Sequence, residues 1–375
     1  MGRAMGILAA AIALAVPSWS PSAGAGVTDG FASDNVEFVK HIPFEAGTAT
    51  GARLVGDHLY VTSYKSLSIY DISDPLEPVR VGFTPVLVYM QNEDVDTDGD
   101  ILLFSDELPR DTLHVFDVED PTTPVEVGSL PLAGDHTLTC VRDCEFAYGS
   151  DGAVVSLKDP SAPKLMGDWA TDLPEQRGFG VHDVTEVRPG LVITSSDPVM
   201  VLNTKGDLRR PRVVALGTAS LPGLFHSSDW PRAGKDRFLL LATEGGTTAG
   251  ACDSTAGVFS VWETDGWRRQ RTVSLVDSFR MSNGTHADGK ALPGIGCSAH
   301  WFDARGDFHN GGFVVLAGYK QGTRFLEVDP DGSIAEVGYF LGHGADASAA
   351  YWVTDEVVYS IDLNRGIDIL RFHAS

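Results

Sequence analysis

Asp74-Pro75-Leu76-Glu77-Pro78-Val79-Arg80-Val81-Gly82 recurs as Asp120-Pro121-Thr122-Thr123-Pro124-Val125-Glu126-Val127-Gly128 and again as Asp159-Pro160-Ser161-Ala162-Pro163-Lys164-Leu165-Met166-Gly167. All three read D-P-x-x-P-x-x-x-G, and looser copies run from Asp207 to Gly217 and from Asp329 to Gly338. Asp74 to Asp120 is 46 residues and Asp120 to Asp159 is 39. A period of that size is one supersecondary unit per repeat, each burying its apolar face on its neighbours.

Outward from the motif, each unit is a set of short strands. Leu59 to Ser63, Leu67 to Asp71 and Val79 to Val81 are rich in β-branched and aromatic residues, Gly, Asp and Pro fill the breaks, and no helical period competes. The same order returns at Ile101 with Leu113, Glu145 with Ala153, Leu191 with Val199, Phe238 with Val258, and Phe313 with Thr323. The last copy, Val357 to Ser360 with Ile367 to Phe372, stops before its outer strand, and the unassigned strand Val36 to Ile42 can supply it. The expectation is an all-β, seven-bladed β-propeller closed by an N-terminal strand that completes the last blade, an arrangement that leaves no long edge exposed.

A chain of 375 residues with 43% apolar residues can bury a large core, and its formal charge of −23 with no basic stretch argues against a nucleic-acid surface. Near the start, Arg3 precedes the apolar run Gly6 to Val16, followed by small residues ending in Ala23-Gly24-Ala25. That is the form of a cleaved export signal, too short for a permanent membrane anchor. The expected organisation is a signal peptide over 1–25, a single propeller domain over 26–375, and a secreted product. In an oxidising compartment the four cysteines read as disulfides: Cys140 with Cys144 across the turn Val141-Arg142-Asp143, and Cys252 with Cys297 between two long loops.

The segments Leu59 to Pro75 and Gly311 to Pro330 resemble the LVIVD repeat of bacterial secreted β-propellers. The resemblance spans essentially all of the mature chain and implies the fold and the compartment, but no defined activity. In the long stretches Glu244 to Gly257 and Val276 to Cys297 the sequence departs from the repeat.

Chemistry is expected where the first strands of successive blades line the channel. His136 stands ten residues before Phe146 and His182 ten before Val192, a shared register in neighbouring blades. His226 stands twelve before Phe238 and His300 thirteen before Phe313, with inserted turns at Pro231 to Gly234 and Gly306 to Gly312. Four imidazoles aimed at one channel mouth suit a divalent or redox metal: copper, zinc or iron. Glu244 is the expected further ligand or proton-transfer group, and Asp183 and Asp135 the expected carboxylates orienting the histidines. His343 is a looser candidate. The expected function is a metal-binding site that serves an oxidoreductase acting on an unknown small molecule. The alternative is a non-catalytic extracellular module making protein or glycan contacts, its histidines serving only to close the channel.

Asp94-Val95-Asp96-Thr97-Asp98-Gly99-Asp100 opens like a calcium loop, but Ser105 occupies the place of the closing Glu, so Asp94, Asp96 and Asp98 are read as an acidic turn. Neither G-x-S-x-G nor H-E-x-x-H occurs, which removes two common hydrolase signatures. Asn283-Gly284-Thr285 is a glycosylation sequon by pattern, and Trp230 and Trp267 are expected to pack between blades.

Overall fold

In a computed structural model the chain is described over residues 30–44, 49–85, 95–106, 111–131, 135–176, 180–245, 252–282 and 296–374. The segment 1–25, Asp94, Gly246 to Gly250 and the sequon at Asn283 lie outside the described residues. Seven antiparallel sheets succeed one another along the chain. Blade 1 consists of Ala49–Val55, His58–Ser63, Ser66–Asp71 and Val79–Pro85, and blades 2 to 6 follow the same order. The innermost strands of blades 2 to 6 are Asp96–Thr97, Leu138–Val141, Asp183–Arg188, Leu224–Asp229 and Phe302–Ala304. In blade 7, Ala347–Trp352, Val357–Asp362 and Gly366–Phe372 are completed by Val36–Pro43, which pairs from Val36 opposite Phe372 to Pro43 opposite Gly366.

The clasp is double. Gly30–Ala32 adds a fifth strand to blade 6, with Gly30 opposite Gly342, so the N-terminal segment ties two adjacent sheets together. The sequence pattern gives no sign of this three-residue strand.

Side chains alternate across each strand, and here both faces are apolar because both are covered. Leu59 and Val61 pack toward blade 7, against Tyr359 and Ile369, whereas Tyr60 between them packs toward blade 2, against Leu102 and Phe104. Leu239 and Leu241 face blade 4 while Phe238, Leu240 and Ala242 face blade 6. A core of this kind fills each of the seven blade interfaces, so burial is spread around the ring.

The motif now has a mechanical account. Its Asp accepts the main-chain N–H two residues on: Asp74 from Leu76 at 3.1 Å, Asp120 from Thr122 at 3.0 Å, Asp159 from Ser161 at 3.2 Å. Pro follows at the position whose φ the turn already requires. The Gly lies at an irregularity in strand pairing, where one strand bulges, and it meets the next blade's turn. A Cβ on Gly82 would stand 2.0 Å from the carbonyl oxygen of Pro121, and one on Gly128 2.2 Å from that of Pro160. The first two repeats thus end where the next repeat's D-P turn leaves no room for a side chain, whereas Gly167 meets the side chain of Arg209 and has a φ of 147°.

Both disulfides are formed, Cys140 with Cys144 and Cys252 with Cys297. The outer strand of blade 5, Ser274–Phe279, occupies what the sequence reading assigned to the start of a long loop, because its unit lacks the D-P-x-x-P marker. Trp230 is buried and meets Trp267 edge to face at 5.3 Å.

Candidate metal centre at the channel mouth

Ring closure places the four histidines in one arc. Ring centroids are 4.9 Å apart for His136 and His182, 4.2 Å for His182 and His226, and 4.1 Å for His226 and His300. His136, His182 and His300 stand just ahead of the innermost strands of blades 3, 4 and 6. His226 lies inside that of blade 5, at a register irregularity between Phe225 and Ser227 that redirects its side chain. His226 and His300 are fully buried, while His136 and His182 are half-buried.

The main chain holds the rings. His182 Nδ1 lies 3.1 Å from the carbonyl oxygen of His226, and His300 Nδ1 lies 2.6 Å from that of Ser348. A carbonyl only accepts, so both Nδ1 atoms carry a proton, which in the neutral ring leaves a lone pair on each Nε2. That is the tautomer a metal ligand needs, held by a partner on its other nitrogen. Hydroxyls continue the pattern: Thr137 donates to the carbonyl of His182 at 2.7 Å, and Ser227 to that of His300 at 3.0 Å. Blade by blade, a side chain reaches the next blade's main chain at the same height.

Glu244 is the last residue of Phe238–Glu244, opposite Leu224, and not in the loop where the sequence reading put it. One ligand atom each from His182, His226 and Glu244 lies within 4.8 Å of the other two. Among the described residues these three form the metal-competent group, and His136 and His300 flank it without joining. Tyr319 was not singled out in the sequence. Its hydroxyl donates to Glu244 Oε1 at 2.6 Å and its ring lies 4.5 Å from that of His300. Its φ of 48° is left-handed, a conformation unfavourable for a bulky residue. Reciprocal main-chain bonds with Ala347, both 2.9 Å, hold it there. The available signal was a tyrosine in the turn Gly318 to Gly322 between two strands.

The expected orienting carboxylates turn elsewhere. Asp135 accepts the main-chain N–H of His136 at 2.7 Å, together with Ser150 Oγ and the N–H of Asp151, and burial pushes its carboxyl up to about 7. Asp183, next in the chain to His182, points to the other side, as strand alternation requires. Its Oδ2 accepts from Thr185, burial pushes it up to about 7, and the charges it feels are those of Arg53 and Asp96. His343 is exposed and lies against Phe31. Asp96 pairs with Arg53 at 3.1 Å, and Asp98 accepts the N–H groups of Asp100 and Ile101.

Fold and site together define a seven-bladed β-propeller with an imidazole-lined channel mouth. The family model of the LVIVD repeat matches residues 46–83, so the chain carries an LVIVD repeat in its first blade. No curated protein matches the chain. Among solved structures it is similar to a functionally unknown protein from Desulfotomaculum acetoxidans, at 12% identity over 86% of this chain and 88% of that one, with a TM-score of 0.54. It is also similar to Hsv2p of Kluyveromyces lactis, at 12% identity over 88% of this chain and 98% of that one, with a TM-score of 0.51. At such identities the likeness shows the fold alone.

Proposed function

We propose that this chain is an exported propeller whose channel mouth binds a divalent transition metal through His182, His226 and Glu244. The proximity of their three donor atoms, all within 4.8 Å, carries the proposal. Three donors about 2.1 Å from a tetrahedral metal stand about 3.4 Å from one another, so closing on an ion from 4.8 Å needs each side chain to shift by under about an ångström. Two imidazoles and one carboxylate suit zinc or non-haem iron better than copper, and three protein donors leave positions open for a small molecule. The charge of −23 draws cations toward the molecule. The Tyr319 hydroxyl donates a hydrogen bond to Glu244, which holds that carboxylate in place beside the imidazoles. Export is supported by the two disulfides and by the Gly6 to Val16 run.

The test is the metal content of protein purified without a nickel column, measured by plasma mass spectrometry. Bound zinc or iron near one per chain, lost in His182→Ala, is the expected result. A metal-free protein of unchanged stability would favour a second function, a non-catalytic docking module. That function draws support from the exposed apolar residues of the outer strands, among them Val79, Phe83, Val125 and Leu165.

A further inference from the structure

Away from the histidines, the channel is lined by a different set of groups. A cavity of about 480 Å³ is bounded by Arg53, Asp229, Asp303, Trp301 and Tyr351. A hollow of about 190 Å³ shares Arg53 and Trp301 with it and adds Asp96 and Asp183. Four innermost strands thus each contribute an aspartate, and Glu186 of blade 4 lines both spaces, against the one guanidinium of Arg53 from blade 1. The other cations of the rim are engaged elsewhere or face solvent. Arg305 is bound at 2.8 Å to both oxygens of Asp307 and lies over Phe313, Arg188 donates to the carbonyl of Ala233, and Arg232 is exposed.

The four carboxyls are not equivalent. Asp96 Oδ2 accepts the N–H of Cys140 at 2.7 Å and Asp303 Oδ2 that of Trp352 at 2.9 Å, each binding the next blade. Asp183 is 1% exposed, and its Oδ1 has no hydrogen-bond partner. A buried carboxylate oxygen without a donor is costly, and a ligand that brings a donor relieves it. An inorganic ion suits the ring poorly, because no three of its carboxylate oxygens come within 4.8 Å of one another. Spaced carboxyls around a cavity that Trp301 and Tyr351 also line match N–H donors carried on an apolar stem.

We infer that this throat is a second site, which binds an alkylammonium ion with its N–H groups on Asp183 and the neighbouring carboxyls and its stem along Trp301. It adjoins the metal centre, since the Trp301 ring stands edge-on to that of His226 at 5.3 Å, but it uses none of the three proposed ligands.

The probe is putrescine, titrated calorimetrically into the full-length protein. Saturable binding is expected, weakened about tenfold or more in Asp183→Asn by the loss of one charge-assisted hydrogen bond. Arg53→Gln, which removes the competing cation, is expected to tighten it. Opposite signs in these two variants cannot come from a general loss of fold. Protein stripped with EDTA is expected to bind putrescine as tightly as untreated protein, which separates this site from the metal centre. Absence of saturable binding, equal weakening in both variants, or equal displacement by calcium chloride would each overturn the assignment.

Discussion

Glu244→Gln separates metal binding from structure at the channel mouth. The amide oxygen of Gln can still accept from the Tyr319 hydroxyl, now 2.6 Å away, so the packing around His300 persists while the anionic donor is lost. Removing an outer-layer partner of a ligand costs about 10- to 100-fold in metal affinity, and a direct ligand at least as much, so the variant is expected to bind about hundredfold more weakly. At a metal concentration 100 times the wild-type Kd, binding stabilises the native state by about 2.7 kcal/mol; for the variant that concentration only equals Kd and contributes about 0.4 kcal/mol. For a chain this long each kcal/mol moves the melting temperature by roughly 2 °C. Scanning calorimetry with and without zinc chloride should therefore show a rise of about 5 °C in the wild type and under 1 °C in Glu244→Gln, with equal melting temperatures in EDTA. A wild type indifferent to zinc, or a variant with the full shift, would refute the ligand assignment.

Three further outcomes follow from the fold. Gly128→Ala pushes a Cβ to 2.2 Å from Pro160 O, and calorimetry should show a loss of about 1 to 3 kcal/mol; an unchanged melting temperature would contradict the role given to the motif's Gly. Burial raises Asp303 to about 7 and Asp229 and Asp362 to about 6, against about 3.9 in the unfolded chain, so the native state holds protons that the unfolded state has released. Their contribution is complete below about pH 4 and lost through pH 6 to 7. Melting temperature should fall between pH 5 and pH 8, less steeply in Asp303→Asn, and a flat profile would count against these shifts. Replacing both Cys252 and Cys297 by Ser opens a 45-residue separation and should cost about 4 kcal/mol in urea denaturation, against about 2 kcal/mol for the Cys140 and Cys144 pair, only 4 apart. Equal losses would contradict a chain-entropy origin.

The architecture was legible because the D-P-x-x-P-x-x-x-G symbols have local causes: an Asp side chain closing a turn, a Pro with its φ preset, and a Gly beneath the neighbouring turn. The innermost strands were harder to see. Asp96–Thr97 and Phe302–Ala304 are two and three residues long, and the inner strands turn polar groups into the channel, so no apolar alternation marks them. The histidine arc could be read by counting registers between blades, but which imidazoles share a ligand point depends on the bulge at His226 and on where Phe238–Glu244 ends. Tyr319 escaped because only its turn and its bridge to Ala347 bring it to Glu244. Asp183 was grouped with His182 by adjacency, whereas alternation sends neighbouring side chains to opposite sides of a strand.

The mouth also depends on how the ring is shut. His300 takes its tautomer from the carbonyl of Ser348, which belongs to blade 7, and Tyr319 is held by Ala347 in the same strand. That blade is complete only with Val36–Pro43 paired along Gly366–Phe372, and Gly30–Ala32 fastens the same segment to blade 6. The interface that positions His300 and Tyr319 is therefore the one the N-terminal clasp spans on its outer side. Loosening the clasp lets blades 6 and 7 part and takes the carbonyl of Ser348 away from Nδ1 of His300. His182 and His226 are held within blades 4 and 5, where no chain terminus intervenes. The two imidazoles assigned to the metal thus sit in the continuous part of the ring, and the phenol that hydrogen-bonds to Glu244 sits at its seam.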